Sequence, residues 1–190
     1  MIITRTPYRV SFFGGGTDFP QYYEEHGGSV ISCTINRYSY LQCRILPPFF
    51  DHRYRIRYFQ TERTRSIDEI EHPSVRECLR FLNYQHPLEV LHSGDIPAMS
   101  GIGSSSSFTV GFLLALHGLM GKMITKRELA QQAIEVEQQW IQEHVGSQDQ
   151  YAAAFGGFNR IDFGLGKQIR LTPLMLKPEK LQHLQDNRRF

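Results

Sequence analysis

A glycine- and serine-rich segment at residues 97–107 has the composition expected of an anion-binding loop. It reads Pro97-Ala-Met-Ser-Gly-Ile-Gly-Ser-Ser-Ser-Ser107 and leads into an apolar stretch that is predicted to be helical. The glycines allow a tight turn, and the first turn of a helix offers unpaired N–H groups at the positive end of its dipole. The segment therefore predicts a phosphate cradle, although neither the P-loop nor the Rossmann pattern is present. The alternative is that the serines cap a core helix, but one cap requires one serine rather than four.

A second candidate is Glu137, which falls in the middle of the apolar face of a predicted helix. The apolar positions of that face are Ala130, Ala133, Ile134, Trp140 and Ile141. A buried carboxylate must be hydrogen-bonded, paired or bound to a cation, because its desolvation is costly. Residue spacing alone leaves two interpretations open, a cation ligand and a structural ion pair with an arginine.

Two aspartates lie in polar, glycine-containing segments. Asp149 follows Gly146-Ser-Gln, where it could serve as a general base, hold a metal or form the N-cap of a helix over 150–155. Asp18 ends the run Gly14-Gly-Gly-Thr-Asp18, which follows Arg9 and whose glycines allow a ligand to approach the backbone. An aspartate beside a threonine suits sugar hydroxyls, and the alternative is an Asx-type turn.

Five arginines form a basic stripe between residues 53 and 65. In Arg53-Tyr-Arg-Ile-Arg-Tyr58 the arginines share one face of a predicted strand, and Arg63 and Arg65 extend the pattern. We interpret the stripe as the solvated face of a strand, with a second phosphate site as the alternative.

The composition is that of an ordinary globular protein. The chain has 190 residues, of which 41% are hydrophobic, enough for one domain or one domain and part of another. The net charge of +2 gives no reason to expect a nucleic-acid or membrane-surface partner. Cys33, Cys43 and Cys78 lack C-x-x-C spacing, so we expect buried thiols in a reducing compartment. No signal peptide or membrane span is recognised, and a soluble, cytoplasmic protein is expected.

The elements that must position these residues alternate between strands and helices, which predicts an α/β or α+β fold. Predicted strands cover 2–3, 8–13, 29–35, 38–45, 53–58, 88–91, 158–163 and 168–171, with 29–35 and 38–45 paired across Asn36-Arg37. Predicted helices cover 66–82, the stretch from the serine-rich segment to Gly121, the stretch from a capping box at Thr125–Glu128 to about Glu143, and 149–154.

These segments, in this order, resemble the GHMP kinases, the family of galactokinase, homoserine kinase, mevalonate kinase and phosphomevalonate kinase. The second family motif, P-x-x-x-G-L-G-S-S-A-A, is matched by residues 97–107, with Ile102 for leucine and serines for both alanines. The first motif is matched by residues 7–18, where Gly15-Gly16 replace the Glu-His that galactokinases carry. Together with residues 148–159, this pattern resembles the sugar-kinase branch that acts on heptose 7-phosphate or fucose.

The resemblance implies a role for each candidate residue. Residues implied to bind the ATP phosphates are Pro97, Ser100, Gly101, Ile102, Gly103, Ser104, Ser105 and Ser106. Ser105 and Glu137 match the residues that hold Mg2+ in relatives. Asp149 matches the general base for the attacking hydroxyl, and Arg9 an arginine near the transferred phosphoryl group. Residues implied to bind the sugar are Gly15, Gly16, Thr17 and Asp18.

The resemblance also implies a two-layer α+β fold, the N-terminal domain of the family, with a left-handed β-α-β unit that departs from the usual right-handed rule. This domain would cover residues 1–172, and 173–190 would begin a linker or second domain. GHMP kinases have a second, ferredoxin-like domain with a third glycine-rich motif, which we do not find in this sequence. We therefore expect that domain to be absent or nearly so, with weak nucleotide binding and poor turnover.

The implied function is ATP- and Mg2+-dependent phosphorylation of the anomeric hydroxyl of a heptose 7-phosphate. The alternatives are a fucose or other hexose 1-kinase, and a non-catalytic protein that binds a sugar or nucleotide on the kinase fold. The expected partners are ATP and a sugar or sugar phosphate, with no nucleic acid and no membrane. A homodimer is also expected if the surface for a second domain is apolar and exposed.

Overall fold

The strands and helices are those of the computed structural model, which describes residues 1–97, 100–180 and 182. The strands are β1 (Ile2–Phe13), β2 (Gly28–Ile45), β3 (Tyr54–Arg57), β4 (Thr61–Thr64), β5 (Leu88–Gly94), β6 (Phe158–Gly164) and β7 (Gln168–Pro173). The α-helices are α1 (Pro20–His26), α2 (Pro73–Phe81), α3 (Ser104–Leu119), α4 (Lys126–Glu135) and α5 (Gln148–Phe155). A π-helical turn (Val136–Trp140) continues α4, and a 3-10 turn (Leu165–Lys167) joins β6 to β7.

All seven strands belong to one mixed sheet with the order β4-β3-β5-β2-β6-β7, and β1 pairs with β2 off this path. The long strand β2 is its centre, since β1, β5 and β6 all pair antiparallel with it. β3 and β5 pair in parallel, and the chain between them runs through β4 and α2. The predicted α+β class is confirmed. The hand of the crossover and the domain boundary at residue 172 stay predictions.

One core joins the sheet to α3, which is apolar on nearly all sides, as expected of a buried helix. The sheet contributes Leu41, Ile56 and Val90, and α3 contributes Phe112 and Leu116, all at most 1% exposed. Burying one such side chain stabilises the fold by about 1.5–3 kcal/mol. A smaller cluster packs α1, α4 and α5 against β2 and β6. The helices therefore lie on one face of the sheet, and the N-termini of α3 and α5 are held by a rigid core.

β2 runs unbroken through Asn36 and Arg37, so the predicted strand pair at this position is wrong. The register with β1 shifts here from Pro7 opposite Tyr38 to Arg9 opposite Thr34, which places extra residues of β2 in a bulge. Pro7 lacks the N–H that a regular ladder uses, so an interruption of the pairing at this point is expected.

Two predicted helices have different bounds in the structure. The helix predicted over 66–82 begins only at Pro73, a residue suited to a first turn and unsuited to a helix interior. The capping box at Thr125 and Glu128 is confirmed, with both of its reciprocal bonds present. That helix ends with the π-helical turn, before the predicted end at Glu143, and Gln142 has a positive φ of 62°.

Cys33, Cys43 and Cys78 are all buried, as the sequence predicted. Within the described ranges, no helix is both long enough and apolar enough to cross a membrane. Ala98 and Met99 of the predicted phosphate segment, and residues 181 and 183–190 of the predicted C-terminal segment, lie outside the described residues.

Candidate active site

The first turn of α3 forms the floor of the site. Gly101 and Gly103 adopt left-handed conformations, with φ of 72° and 73°, and the helix starts directly afterwards at Ser104. No side chain of the described residues caps this terminus, so the interpretation of the serines as caps is wrong. The N–H groups of the first turn are therefore available to an anion, at the positive end of a 16-residue helix. Ser100 folds back on the loop and donates to the Pro97 carbonyl at 2.5 Å.

A cleft of about 850 Å³ opens beside this turn, within the range of small-molecule sites. Ser104 and Ser105 line the cleft at the phosphate segment. Six aromatic or imidazole rings form one part of its wall, which we call the aromatic wall, and the carboxylates of Glu71 and Glu143 also line the cleft; the rings are those of Tyr8, Tyr58, Phe59, His72, His92 and Phe108. His72 stacks on Phe108, with 4.7 Å between ring centroids. Burial lowers the pKa of His92 to about 4 and also lowers the pKa of His72, so both imidazole rings are uncharged at neutral pH.

Glu62 holds the aromatic wall together, a role that the sequence did not reveal. Its carboxylate accepts from the Tyr58 hydroxyl at 2.7 Å and from the backbone N–H groups of Glu71 and His72 at 2.6 and 3.1 Å. Burial, followed by the bond to Glu62, raises the pKa of Tyr58 to about 12. β4 is thereby tied to the loop before α2, which sets the width of the cleft.

Arg9 and Asp149 form a bidentate ion pair next to the predicted phosphate segment, residues 97–107. Arg9 Nε donates to Asp149 Oδ1 at 2.7 Å, and Nη2 donates to Oδ2 at 2.8 Å. The third guanidinium nitrogen, Nη1, donates to the Gly101 carbonyl at 2.8 Å, and the Arg9 backbone N–H donates to Ile102 O at 3.1 Å. Asp149 lies in the first turn of α5 and Ser147 is the N-cap, so the cap interpretation of Asp149 is wrong. A Cβ added at Gly103 would lie 3.1 Å from Asp149 Oδ2, which shows how closely the carboxylate approaches the cradle.

Burial raises the pKa of Asp149 above its usual range, and the charge of Asp18 acts in the same direction. The Arg9 guanidinium opposes both effects by its charge and its hydrogen bonds. A carboxylate whose pKa is moved toward neutrality accepts a proton from a hydroxyl more readily than a fully solvated one.

Glu137 is completely buried on the π-helical turn. One of its oxygens, Oε2, accepts from the Ser106 hydroxyl at 2.8 Å and from Gln150 Nε2, whereas Oε1 has no hydrogen-bond partner in the part of the chain that the structure describes. No arginine pairs with it among those residues, so the ion-pair interpretation is wrong. Burial raises the pKa of Glu137 to about 7.

Two partners of Glu137, Ser106 and Gln150, were not assigned to it from the sequence. Thr109 lies close enough to the carboxylate to lower the pKa of Glu137, but its single hydroxyl proton is donated to the Ser105 carbonyl at 3.2 Å, which leaves Oε1 without a donor among the described residues. The side chain of Ser105 itself is exposed and faces the cleft. The structure thus puts Ser106 rather than Ser105 against the carboxylate, and the role of Ser105 as a metal ligand stays a prediction.

Asp18 and Thr17 fix the glycine loop to the rest of the site. Asp18 is 1% exposed, and its carboxylate accepts from the backbone N–H groups of Gly16 at 3.1 Å and Gln148 at 3.3 Å. Thr17 Oγ1 donates to the Gly14 carbonyl at 2.8 Å and accepts from Ser29 N at 3.1 Å. These bonds join the loop to the first turn of α5 and to β2. Sugar binding by Thr17 and Asp18 stays a prediction.

Gly146 is required by the buried Asp18 carboxylate, since an added Cβ would lie 1.9 Å from Asp18 Oδ2. Because two backbone amides hold that carboxylate, Gly146→Ala is expected to lower the free energy of unfolding by about 2–3 kcal/mol, or on the order of 5–10 °C in Tm. Thermal unfolding followed by circular dichroism measures this. Gly15→Ala is the matched control, because a Cβ there meets nothing within 4 Å. Equal losses in the two variants would contradict the prediction.

The oxygen donors of the site fit Mg2+ bound together with phosphates. Within the described ranges, no group of three or more His, Cys, Asp or Glu side chains could hold a metal. Mg2+ prefers oxygen ligands and commonly takes one or two protein groups, several waters and substrate phosphates. The unpartnered Oε1 of Glu137 and the exposed Ser105 hydroxyl, next to an anion-binding helix terminus, match that requirement.

Comparison with known proteins places residues 73–157 in one family. These residues match the family described as the GHMP kinases N terminal domain. They contain α2, α3, α4, α5 and β5, and with them the phosphate segment, Glu137 and Asp149.

Individual relatives extend the match over nearly the whole chain. The chain is 31% identical over 187 residues to the D-glycero-alpha-D-manno-heptose 7-phosphate kinase of Campylobacter jejuni, covering 93% of this chain and 55% of that protein. It is 24% identical over 158 residues to the galactokinase of Thermotoga maritima, covering 80% of this chain and 43% of that enzyme. A solved D-glycero-D-manno-heptose 1-phosphate kinase from Bacteroides thetaiotaomicron superposes with a TM-score of 0.86 at 26% identity, over 97% of this chain and 63% of that one. The chain therefore spans about half the length of these curated relatives.

Proposed function

Because the chain belongs to the GHMP kinases, we propose that it is the nucleotide- and acceptor-binding domain of a kinase that phosphorylates the anomeric hydroxyl of a heptose 7-phosphate. The observation that carries this proposal is the Arg9–Asp149 pair beside the uncapped terminus of α3. The pair brings a carboxylate and a guanidinium next to a helix terminus suited to phosphate, which supports a base and a phosphate site here.

The nucleotide lies in the 850 Å³ cleft, with its base against the uncharged aromatic wall. Its phosphates reach the N-terminus of α3, where the free N–H groups of Ser104, Ser105 and Ser106 face them. Glu137 and Ser105 would hold Mg2+ at this point. When bound, Mg2+ would neutralise part of the negative charge on the phosphates.

Asp149 accepts the proton of the attacking hydroxyl. In the transfer, the anomeric oxygen forms a bond to the γ-phosphorus, the bond from that phosphorus to the ADP oxygen breaks, and the proton passes to Asp149. An anomeric hydroxyl is more acidic than an ordinary alcohol, so a carboxylate with a raised pKa is an adequate base. Arg9 orients that carboxylate and carries positive charge to the phosphoryl group. Phosphoryl transfer depends mainly on such alignment and charge neutralisation.

The sequence comparisons support a heptose phosphate as the acceptor. The 31% identity to a heptose 7-phosphate kinase exceeds the 24% identity to a galactokinase. The loop proposed to bind the sugar has room for a heptose or a hexose, because a Cβ at Gly15 or Gly16 would meet no atom within 4 Å. The acceptor is then in contact with the loop formed by Gly15, Gly16, Thr17 and Asp18.

The acceptor is tested by measuring ADP formation with Mg-ATP and heptose 7-phosphate, fucose, mannose or galactose. We expect kcat/KM for heptose 7-phosphate to exceed that for each hexose by about tenfold or more, equivalent to about 1.4 kcal/mol of differential transition-state binding. Mg-ATP affinity is measured in parallel by calorimetry. Preferential turnover of one hexose would favour the hexose 1-kinase. Binding of Mg-ATP and sugar without transfer, even with enzyme in excess, would favour the non-catalytic alternative.

A further inference from the structure

A basic pocket lies on the face of the sheet opposite α3, and the proposed reaction does not use it. It has a volume of about 350 Å³ and is lined by Phe50, Asp51, His52, Arg55, Arg63 and Arg65. Strand alternation explains its position. Tyr54 and Ile56 of β3 point into the core shared with α3, so the intervening Arg55 points to the other face, as does Arg63 of β4.

The basic pocket is separate from the nucleotide cleft. The turn between β3 and β4 lines that cleft through Tyr58, Phe59 and Gln60. Arg55 lies three residues earlier on β3, about 10 Å along the strand, and on the opposite face. The two cavities have no lining residue in common. A phosphate in the basic pocket is therefore not the one that is transferred.

The charges around the basic pocket are unbalanced, because its three arginines outnumber its one carboxylate, that of Asp51, which is 86% exposed and bonded to His52 Nδ1 at 2.9 Å. Arg55 and Arg63 are direct cross-strand neighbours, an arrangement that destabilises a sheet when both carry the same charge. Arg55 Nη1 donates to Glu89 Oε1 at 3.0 Å, but Glu89 is shared, because Arg44 Nε donates to its Oε2 at 2.5 Å. In the part of the chain that the structure describes, the Arg63 side chain has no hydrogen bond and no ion pair, and only its backbone is paired, with β3. An anion between Arg55 and Arg63 would remove this repulsion.

The pocket is also held in shape before any ligand arrives. The Arg55 guanidinium lies over the Phe50 ring at 4.2 Å, and its Nε donates to His52 Nε2 at 3.3 Å. Arg65 Nε donates to the Asp51 carbonyl at 3.1 Å. The side chains of Arg55 and His52 are only 13% and 10% exposed. The fixed guanidinium groups of Arg55 and Arg65 lose little freedom when they bind, whereas Arg63 must be ordered by the ligand. The planar donors of all three match a phosphate better than lysines would.

We infer that the basic pocket binds the phosphomonoester group of a small metabolite, with Arg55, Arg63 and Arg65 as its ligands. Guanidinium groups bind phosphate oxygens through paired, charge-assisted hydrogen bonds. The volume is near the lower end for ligand sites, so a phosphate with a short organic group fits. This site is independent of the proposed kinase reaction. The sequence left the basic stripe either as the solvated face of a strand or as a second phosphate site, and the basic pocket favours the second interpretation.

The test is a titration of the 15N-labelled chain with glucose 6-phosphate, inorganic phosphate and glucose, followed by amide shifts. With glucose 6-phosphate, amides of β3 and β4 are expected to shift, saturating below about 10 mM, and glucose is expected to leave them unchanged. Arg63→Gln should weaken binding at this site by about tenfold or more. Arg57→Gln is the matched control, since Arg57 is exposed on β3 but does not line the basic pocket.

Each remaining outcome bears on the inference. Absence of shifts in β3 and β4, or equal affinity in wild type and Arg63→Gln, would overturn it. Inorganic phosphate binding as tightly as glucose 6-phosphate would make the site one for free phosphate and overturn the metabolite assignment. Folding of the variants is checked by melting: without ligand, Arg63→Gln should match or exceed the wild-type Tm, because it removes a like-charge pair. Stabilisation by glucose 6-phosphate should then be lost in that variant and kept in Arg57→Gln.

Discussion

Asp149→Asn is expected to lower phosphoryl transfer by about 10³-fold, a loss typical of removing a general base, while Mg-ATP affinity stays within about twofold. Asparagine has the size of aspartate but cannot take the proton of the acceptor hydroxyl. In the wild type, Arg9 donates to both carboxylate oxygens of Asp149, at 2.7 and 2.8 Å. In the variant, one of these oxygens is replaced by an amide nitrogen, which cannot accept from Arg9. The measurement is single-turnover transfer from labelled ATP with enzyme in excess, which detects slow chemistry, together with calorimetry of Mg-ATP binding.

The loss of the ion pair has a second, structural effect that must be kept apart from chemistry. The Arg9 and Asp149 side chains are 15% and 22% exposed, so the variant is expected to lose about 1–2 kcal/mol of unfolding free energy. Assays therefore belong well below its melting temperature. Asp162→Asn is the matched control, since Asp162 pairs with Arg160 at 2.7 Å on β6. If Asp149→Asn transferred phosphate within tenfold of wild type, the pair would only shape the cradle and Asp149 would not be the base.

Arg9, Gly101 and Asp149 were proposed as site residues from the sequence, but the way they pair was not. Arg9 and Asp149 are separated by 140 positions, and Arg9 and Gly101 by 92. Residue types and motif order identified each of them, whereas local patterns carry no information about which distant side chains meet. The register of β1 on β2, set by a bulge opposite Pro7, brings Arg9 to the loop. That register depends on tertiary packing.

The orientation of the serines shows a similar limit. The sequence predicted that a helix begins within residues 101–107 and left its first residue open. With the start at Ser104, Ser106 points to Glu137 and Ser105 to the cleft. Successive side chains of a helix point about 100° apart, so Ser105 and Ser106 face different neighbours, and which of them meets Glu137 depends on how α3 packs against the π-helical turn. Gln150 was likewise unassigned, because its partner depends on how α5 packs.

Local signals explain part of the difference in element boundaries. Pro73 is a standard helix-start residue, so the true beginning of α2 was present in the sequence. The polar pair Asn36-Arg37 is compatible with a hairpin turn and with a bulge. The pairing of β2 with β1, which the sequence does not show, determines that it is a bulge. The π-helical turn that carries Glu137 gives no periodicity of its own, and a pattern of 3.6 residues cannot reveal it.

Glu137→Gln is expected to raise the free energy of unfolding above that of wild type at pH 8, by up to about 3 kcal/mol, or on the order of 5–10 °C in Tm. Burial raises the pKa of Glu137 from 4.5 to about 7. Between these values the folded protein keeps the proton that the unfolded chain has released. Raising the pH therefore favours unfolding across that window, and the loss levels off above pH 7. Glutamine has no proton to lose and does not show this decline.

The difference between the two proteins, rather than the wild-type curve alone, isolates this carboxylate. His92 and His72 have lowered pKa values and make stability rise with pH in part of the same window, but both proteins contain them. Chemical denaturation at intervals from pH 4.5 to 8 gives the two curves. Glu135→Gln, an exposed position on α4, is the control and should follow wild type. Parallel curves for wild type and Glu137→Gln would show that Glu137 does not titrate in this range.

The same pair of proteins tests Glu137 as a metal ligand without an activity assay. A bound cation favours the ionised carboxylate and lowers its pKa, so Mg2+ added to ATP should offset the destabilisation of wild type at pH 8. Glu137→Gln lacks the charge, and Mg2+ should add less to its melting temperature than it adds to that of wild type. Melting is measured with ATP plus EDTA and with ATP plus Mg2+. Equal increments in the two proteins would mean that Mg2+ is held by ATP alone, and the unpartnered Oε1 would then need another explanation.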